Sequence, residues 1–434
     1  MTTLQFRSTN SVTQAESLSY RNGRTGSQPV RKKVLFLNFR FPYPLSGGDR
    51  LKSYHLLRHL SDIADVDLIC LDAWNSGHGS NLSEIKKIVK NVTVVPFKRA
   101  AAWARVFFTL PTQTPVEYGY YDSPQMQEAV DEALATNHYD LIICFFLRTA
   151  IYVKHVVDIP KLLIAEDQRM LMQERSSKKF SFTGEYFVRA NDAKKLHSYE
   201  PEMMHHFDLV TFVAKPDMEG ILSLDPSIPS MIVTNGVDTE RLQYTLHKRE
   251  NAILYAGVLS VYHNKNMVER LAKKILPRIH KVSPDTRLYI VGKDPDVDMR
   301  ILIGDTPGAE LHSNVPDIKP FYERAAIFVH PQVTGSGIQN KLLEALALGC
   351  AVVTTPIGAS GIEGLRDGVN ALIRTTDEEM ACAAIELLDN ETLRCKLAEG
   401  GRALIESRYT WDTVFKQFDD ALATVVPNFF TVTA

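Results

Sequence analysis

Ile327-Phe328-Val329-His330-Pro331-Gln332-Val333-Thr334-Gly335-Ser336-Gly337-Ile338-Gln339-Asn340-Lys341-Leu342-Leu343-Glu344-Ala345-Leu346-Ala347-Leu348-Gly349-Cys350-Ala351-Val352-Val353 is the stretch from which the rest of the chain can be read. An apolar run leads into a loop carrying two glycines, then into apolar residues at helical spacing, a Gly stop and a second apolar run. Strand, loop, helix and strand in that order form the repeating unit of a parallel sheet. Gly335 and Gly337 at the head of the helix let backbone N–H groups approach an anion where the helix dipole also favours one. Lys341 adds a full positive charge there, and Glu344, three residues on, lies one turn deeper on the same face. A carboxylate so placed suits the vicinal hydroxyls of a ribose. From spacing alone, the same residues also fit a tight loop with Lys341 and Glu344 paired weakly in solvent. The segment lacks the third glycine of a dinucleotide fingerprint, and no G-x-x-x-x-G-K-[ST] phosphate loop occurs in the chain.

Working outward, strands are expected at Ile253–Ala256, Leu288–Val291, Ile327–His330 and Ala351–Thr354, with helices between them near Asn266–Ile279, Ile318–Arg324 and Ile338–Leu348. The first half of the chain shows the same alternation. Its strands are Lys33–Asn38, Val66–Leu71, Val92–Pro96, Leu141–Phe145, Leu162–Ala165 and Leu209–Val213, and its first helix is Arg50–Leu60. Two α/β series in tandem predict two doubly covered parallel sheets, with ligands at the carboxyl ends of their strands. The expected division is a disordered tail at 1–32, a first domain at 33–238, a linker at 239–250, a second domain at 251–408 and a C-terminal helix and tail at 409–434.

Composition agrees with a soluble multidomain enzyme. A chain of 434 residues is too long for one ordinary core. Its 49 Lys+Arg against 51 Asp+Glu argue against a nucleic-acid partner bound through a phosphate-neutralising surface. No run approaches the roughly 18–20 apolar residues of a membrane span. Five cysteines without a C-x-x-C pair, Cys70 and Cys144 within apolar runs, fit a reducing cytoplasmic setting. Lys98–Arg105, mixed with Trp103, Phe107 and Phe108, suits peripheral contact with the inner face of an anionic membrane. A buried amphipathic helix accounts for the same pattern.

Over residues 33–425 the chain resembles GT-B glycosyltransferases of the large family 4 type, the glycosyl transferases group 1. The resemblance is carried by Pro42-x-Pro44-x-x-Gly47-Gly48-x-Arg50, Asn235-Gly236-Val237-Asp238, Gly337 to Lys341-x-x-Glu344-Ala345 with Gly349, and Thr355-x-x-Gly358. It implies two Rossmann-like domains facing a central cleft, with the C-terminal helix crossing back to the first. It also implies a nucleotide-sugar donor held by Glu344 at the ribose and by the backbone of Gly337 and Ile338 at the phosphates or sugar. Gly47 and Gly48 would approach the diphosphate from the opposite wall. Ser336 stands where many members carry a glutamate that touches the donor sugar. The Arg and Lys that clamp the pyrophosphate after the first strand of the second domain are replaced by Gly257-Val258-Leu259-Ser260-Val261-Tyr262-His263-Asn264-Lys265, in which Lys265 is out of register. Lys341 would supply the charge instead, as in a subset with a G-I-x-N-K segment.

The implied reaction is a retaining hexosyl transfer to a hydroxyl of a glycan, lipid-linked or small-molecule acceptor, with no cofactor and no metal. Lys341 and Arg148 are the candidate catalytic groups. A sugar-nucleotide epimerase on the same fold and a silent nucleotide-sugar-binding subunit are the alternatives. Glu166-Asp167-Gln168-Arg169 could meet the acceptor or cap a helix. Asp294-Pro295-Asp296-Val297-Asp298 fails the calcium-loop template and reads as a solvated loop.

Overall fold

The computed structural model describes residues 31–45, 47–73, 76–166, 168, 184–244, 249–335 and 337–431, with backbone alone for 184–190. Most of the expected tail and part of the expected linker therefore lie outside the described residues, as does Ser336. Each half of the chain builds a parallel sheet. In the first, β1 (Lys33–Asn38), β2 (Asp65–Asp72), β3 (Asn91–Pro96), β4 (Leu141–Phe145), β5 (Lys161–Glu166), β6 (Leu209–Phe212) and β7 (Ser230–Ile232) are ordered β3-β2-β1-β4-β5-β6-β7. In the second, β8 (Glu250–Val258), β9 (Arg287–Lys293), β10 (Ala309–Ser313), β11 (Ala325–His330), β12 (Ala351–Thr354) and β13 (Leu372–Ile373) are ordered β10-β9-β8-β11-β12-β13.

The central strands are apolar on both faces because helices cover both. Val34, Leu35, Phe36 and Leu37 are all buried. Chain order reverses beside β1 in one sheet and beside β8 in the other, and open sheets form their binding crevices at such points. The loops after β1, β4, β8 and β11 therefore converge on a single cleft.

Helices of the first unit include α1 (Gly48–Ile63), α2 (Gly79–Lys86), α3 (Arg99–Thr109), α4 (Val116–Tyr121), α5 (Pro124–Thr136), α6 (Gly184–Met204) and α7 (Lys215–Leu224). Leu56, Leu57 and Leu60 of α1 pack under β1 in a shared core. In the second unit, the helix expected near 266–279 is divided. Tyr262–Arg270 (α8) passes through a π-helical turn at Leu271–Ile275 into Leu276–His280 (α9). Pro277 cannot donate an N–H, and a wider turn ahead of it accommodates that loss without ending the helix.

Val297–Gly304 (α10) starts on Asp296, whose side chain accepts the Met299 N–H at 2.9 Å and also pairs with Lys265. That acidic run is thus a helix cap. Lys319–Arg324 (α11), Asn340–Ala347 (α12), Pro356–Ala359 (α13), Asp377–Asp389 (α14) and Glu391–Arg408 (α15) complete the second unit.

Trp411–Val425 (α16) returns to the first unit, where Val414, Phe418, Ala421 and Leu422 join the core beneath β1 and α1. The outgoing and returning strands of chain run side by side: Val237 bridges Thr410, and its N–H reaches the Tyr409 carbonyl at 2.7 Å. Gly236 is required there, since a Cβ would sit 2.5 Å from the Trp411 ring. In the stretch expected to be a linker, Arg402 donates to the carbonyls of Thr239 and Leu242 and holds the segment against the second unit.

Two further expectations meet the structure directly. Cys70 and Cys144 are buried free thiols. The expected burial of the helix around Ala100–Leu110 fails: Trp103, Phe107 and Phe108 are 63%, 70% and 71% exposed, because α3 packs through Ala102 and Val106 instead. No described helix is long and apolar enough to cross a membrane.

Candidate functional site

The cleft between the two sheets has a volume of about 820 Å³ and is lined by Gly47, Gly48, Arg148, Gly337, Ile338, Lys341 and Glu344. Its floor on the second unit is the loop from β11 to α12. Gly335 and Gly337 have φ of 125° and 66°, conformations that favour glycine. Ile338 belongs to the core below the loop and also borders the cleft. Gly361 presses from behind, where a Cβ would lie 2.2 Å from the Gly337 carbonyl oxygen.

Lys341 sits in the first turn of α12 with its amine turned into a polar recess. Nζ donates to Asn264 Oδ1 at 2.6 Å, lies 3.3 Å from the Tyr255 hydroxyl and rides 5.2 Å from the Tyr255 ring centre. Burial strips water from the amine and lowers its pKa to about 7, while Glu344 pulls the other way. Asn264 is fixed in turn, accepting from Tyr255 at 2.8 Å and donating to the Val258 carbonyl at 2.9 Å. Gly257 leaves room for this group, since a Cβ there would come within 3.3 Å of both Lys341 Nζ and Asn264 Nδ2. Lys265, paired with Asp296, does not reach the recess. Glu344 borders the same cleft one turn further along α12. Burial raises its pKa, and the Tyr322 hydroxyl reaches its Oε2 at 3.4 Å.

The first unit supplies the facing wall. Gly47 (φ 101°) and Gly48 lead into α1, and a Cβ on Gly48 would fall 2.5 Å from Asn340 Nδ2. Asn340 Oδ1 accepts from Asn235 Nδ2 at 2.8 Å, so the start of α12 is gripped from across the cleft. Arg148 follows β4 and lines the cleft, with its charge matched by Glu117 and its guanidinium 4.4 Å and 5.0 Å from the ring centres of Phe39 and Tyr121. Glu166 also lines it, at φ 71°, and forms an ion pair at 2.7 Å with buried Lys52. It is no helix cap. Asp167 and Arg169 lie outside the described residues.

Sequence reasoning missed three participants. Asp217, in the first turn of α7, accepts the Gly337 N–H at 3.0 Å and the Gln168 N–H at 3.2 Å. Asn264 lies in the segment after β8 where a basic clamp was expected, and a neutral amide there carries no charge signal. Asn235 stands in the Asn235-Gly236-Val237-Asp238 motif, but nothing local to that motif marks its reach to Asn340.

Two Rossmann-like parallel sheets opening toward one another, with a terminal helix that crosses back, define the GT-B fold. The chain shares it with Anabaena HepE in complex with UDP-glucose (TM-score 0.63, 15% identity, 90% of this chain and 99% of that one). It also shares it with sucrose-phosphate synthase from Thermosynechococcus elongatus (TM-score 0.68, 15% identity, 92% of this chain and 100% of that one). Residues 250–390 match the family model described as glycosyl transferases group 1. In sequence the chain is 22% identical, over 405 residues, to an uncharacterised 44.6 kDa protein in the cps region of Klebsiella pneumoniae. That match covers 88% of this chain and 98% of the relative.

Proposed function

We infer that the protein is a glycosyltransferase that moves a sugar from a nucleoside-diphosphate donor to an acceptor hydroxyl. The observation that carries this reading is the joint placement of the Gly337 loop, Lys341 and Glu344 on one helix start at the mouth of the cleft. The donor diphosphate would lie over that start, with Lys341 released from Asn264 to meet it and Glu344 accepting from the ribose hydroxyls. The match of residues 250–390 to glycosyl transferases group 1 supports this assignment, as does the UDP-glucose bound by HepE.

In this reading the bond from the anomeric carbon to the diphosphate breaks as charge builds on the departing oxygen. Lys341 and the α12 N-terminus stabilise that charge, the role a divalent cation would otherwise fill. The acceptor oxygen bonds to the same face of the sugar, and its proton passes to the leaving phosphate, so configuration is retained. Arg148 is the candidate to orient the acceptor, since Glu117 and the surrounding rings hold it at the cleft wall. Ser336 and the glycines at 47 and 48 remain candidates for donor contact.

Incubation with a panel of UDP-, GDP- and ADP-sugars, with and without EDTA, tests the reading. Slow donor hydrolysis that EDTA leaves intact supports it. Isomerisation of the sugar would point to an epimerase, and binding without turnover to a silent subunit. Lys341→Ala should lower kcat by roughly one to three orders of magnitude.

A further inference from the structure

Beyond Arg99 the outward face of α3 is apolar. Around the helix, Ala102 and Val106 point inward with half-buried Arg105 and Thr109 beside them, while Ala100, Trp103, Ala104, Phe107 and Phe108 point out. Leu110, just past the helix, extends the patch at 43% exposure. An apolar face of this kind reverses the usual arrangement of a surface helix, and its large side chains lie together rather than scattered.

Charge selects among possible occupants. From Phe97 to Val116 the chain carries Lys98, Arg99 and Arg105 and no acidic residue. Lys98 and Arg99 are exposed at the end where α3 begins. Cationic groups rimming a Trp- and Phe-bearing face complement an anionic lipid surface. The patch is also joined to the cleft by a run of edge-to-face ring contacts. Trp103 meets Tyr120 at 5.3 Å, Tyr120 meets Tyr121 at 5.1 Å, and Tyr121 meets Phe39 at 5.7 Å beside Arg148.

We propose that α3 docks the protein on an anionic lipid bilayer, with Trp103, Phe107 and Phe108 among the headgroups. Docked this way, the acceptor side of the cleft opens toward the bilayer along the Tyr120–Tyr121 path. Resting on the transferase reading, this makes the acceptor a lipid-borne one.

The test is flotation of the full chain with phosphatidylcholine vesicles, with and without phosphatidylglycerol, at low and high salt. The chain should float with the anionic vesicles at low salt and less so at high salt. The variant Trp103→Ser/Phe107→Ser/Phe108→Ser, altered only at exposed positions, should lose at least about tenfold in partitioning. Its melting temperature and UDP binding should stay as in the parent. No flotation of the parent at low salt would overturn the proposal, as would equal flotation of the variant. So would a concentration-dependent dimer that the triple substitution abolishes without any vesicle binding, since that outcome seats a second copy on the face. Failure of the parent to bind any of UDP, GDP and ADP would instead sink the transferase reading and leave vesicle binding standing.

Discussion

The carboxylate of Asp217 accepts the backbone N–H of Gly337 at 3.0 Å and so ties the first turn of α7 to the glycine loop of the other sheet. An anion of the protein itself thus occupies an N–H that the proposed function assigns to the donor. Asp217 is 2% exposed and also holds the buried Gln168 N–H, so Asp217→Ala takes the acceptor from that buried donor. A cost of about 1–3 kcal/mol is expected, lowering the Tm of the unliganded protein by at least about 2 °C. UDP should then raise the Tm of the variant by more than it raises that of the parent, because the diphosphate no longer competes with a fixed carboxylate. Differential scanning fluorimetry with and without UDP measures both effects. An equal UDP-induced rise in the two proteins would remove the competition from the account.

Glu344 is expected to recognise ribose, and Glu344→Gln separates that role from packing because volume and the contact with Tyr322 are kept. Losing a charged acceptor should weaken donor binding by roughly 10- to 100-fold. The decisive comparison uses a 2′-deoxy donor. If Glu344 binds the ribose hydroxyls, the penalty for the deoxy donor shrinks in the variant. A penalty of undiminished size would place the carboxylate elsewhere.

Gly48 and Asn340 meet across the cleft, and a Cβ on Gly48 would fall 2.5 Å from the Asn340 amide nitrogen. The amide can swing aside, though only by giving up its bond to Asn235. Gly48→Ala should therefore change stability by less than about 1 kcal/mol, while kcat/KM falls by about tenfold as the two walls part. In an Asn340→Ala background the same substitution should have no further effect on kcat/KM. Additive losses in the double variant would mean that the two residues act separately.

Much of the fold was legible because parallel strands buried on both faces read as continuous apolar runs, as Val34–Leu37 and Ile327–Val329 do. The helix at Asn340–Ala347 was legible for a related reason: Leu342, Leu343, Ala345 and Leu346 fall on the stripe its core requires. What stayed hidden were contacts created by folding alone. Asp217 and Gly337 stand 120 residues apart, and Asn235 and Asn340 stand 105 apart. Nothing local to a glycine loop announces which carboxylate will reach it. The orientation of α3 was hidden differently. Periodicity marks an apolar stripe but carries no sign, and only packing shows that Ala102 and Val106 face in while the aromatic residues face out.

Lys341 gives the clearest solution signature. Its amine is held by Asn264 and Tyr255, and desolvation lowers its pKa to about 7. Above pH 7 the free protein therefore carries Lys341 largely neutral. A diphosphate placed beside it favours the charged form, so donor binding must take up a proton there. Affinity should be nearly flat below about pH 7 and then fall by up to about tenfold per pH unit above it, until the pKa of the bound state is passed. The same depressed pKa has a consequence for folding. Between pH 7 and the ordinary lysine value the unfolded chain binds more protons than the folded one, so the Lys341 contribution to stability rises with pH across that window. Calorimetry with UDP at pH 8, in two buffers of different ionisation enthalpy, reads the proton count. Uptake approaching one proton in the parent and none in Lys341→Met is the expected pair of results. Uptake that persists in Lys341→Met would assign the proton to another group.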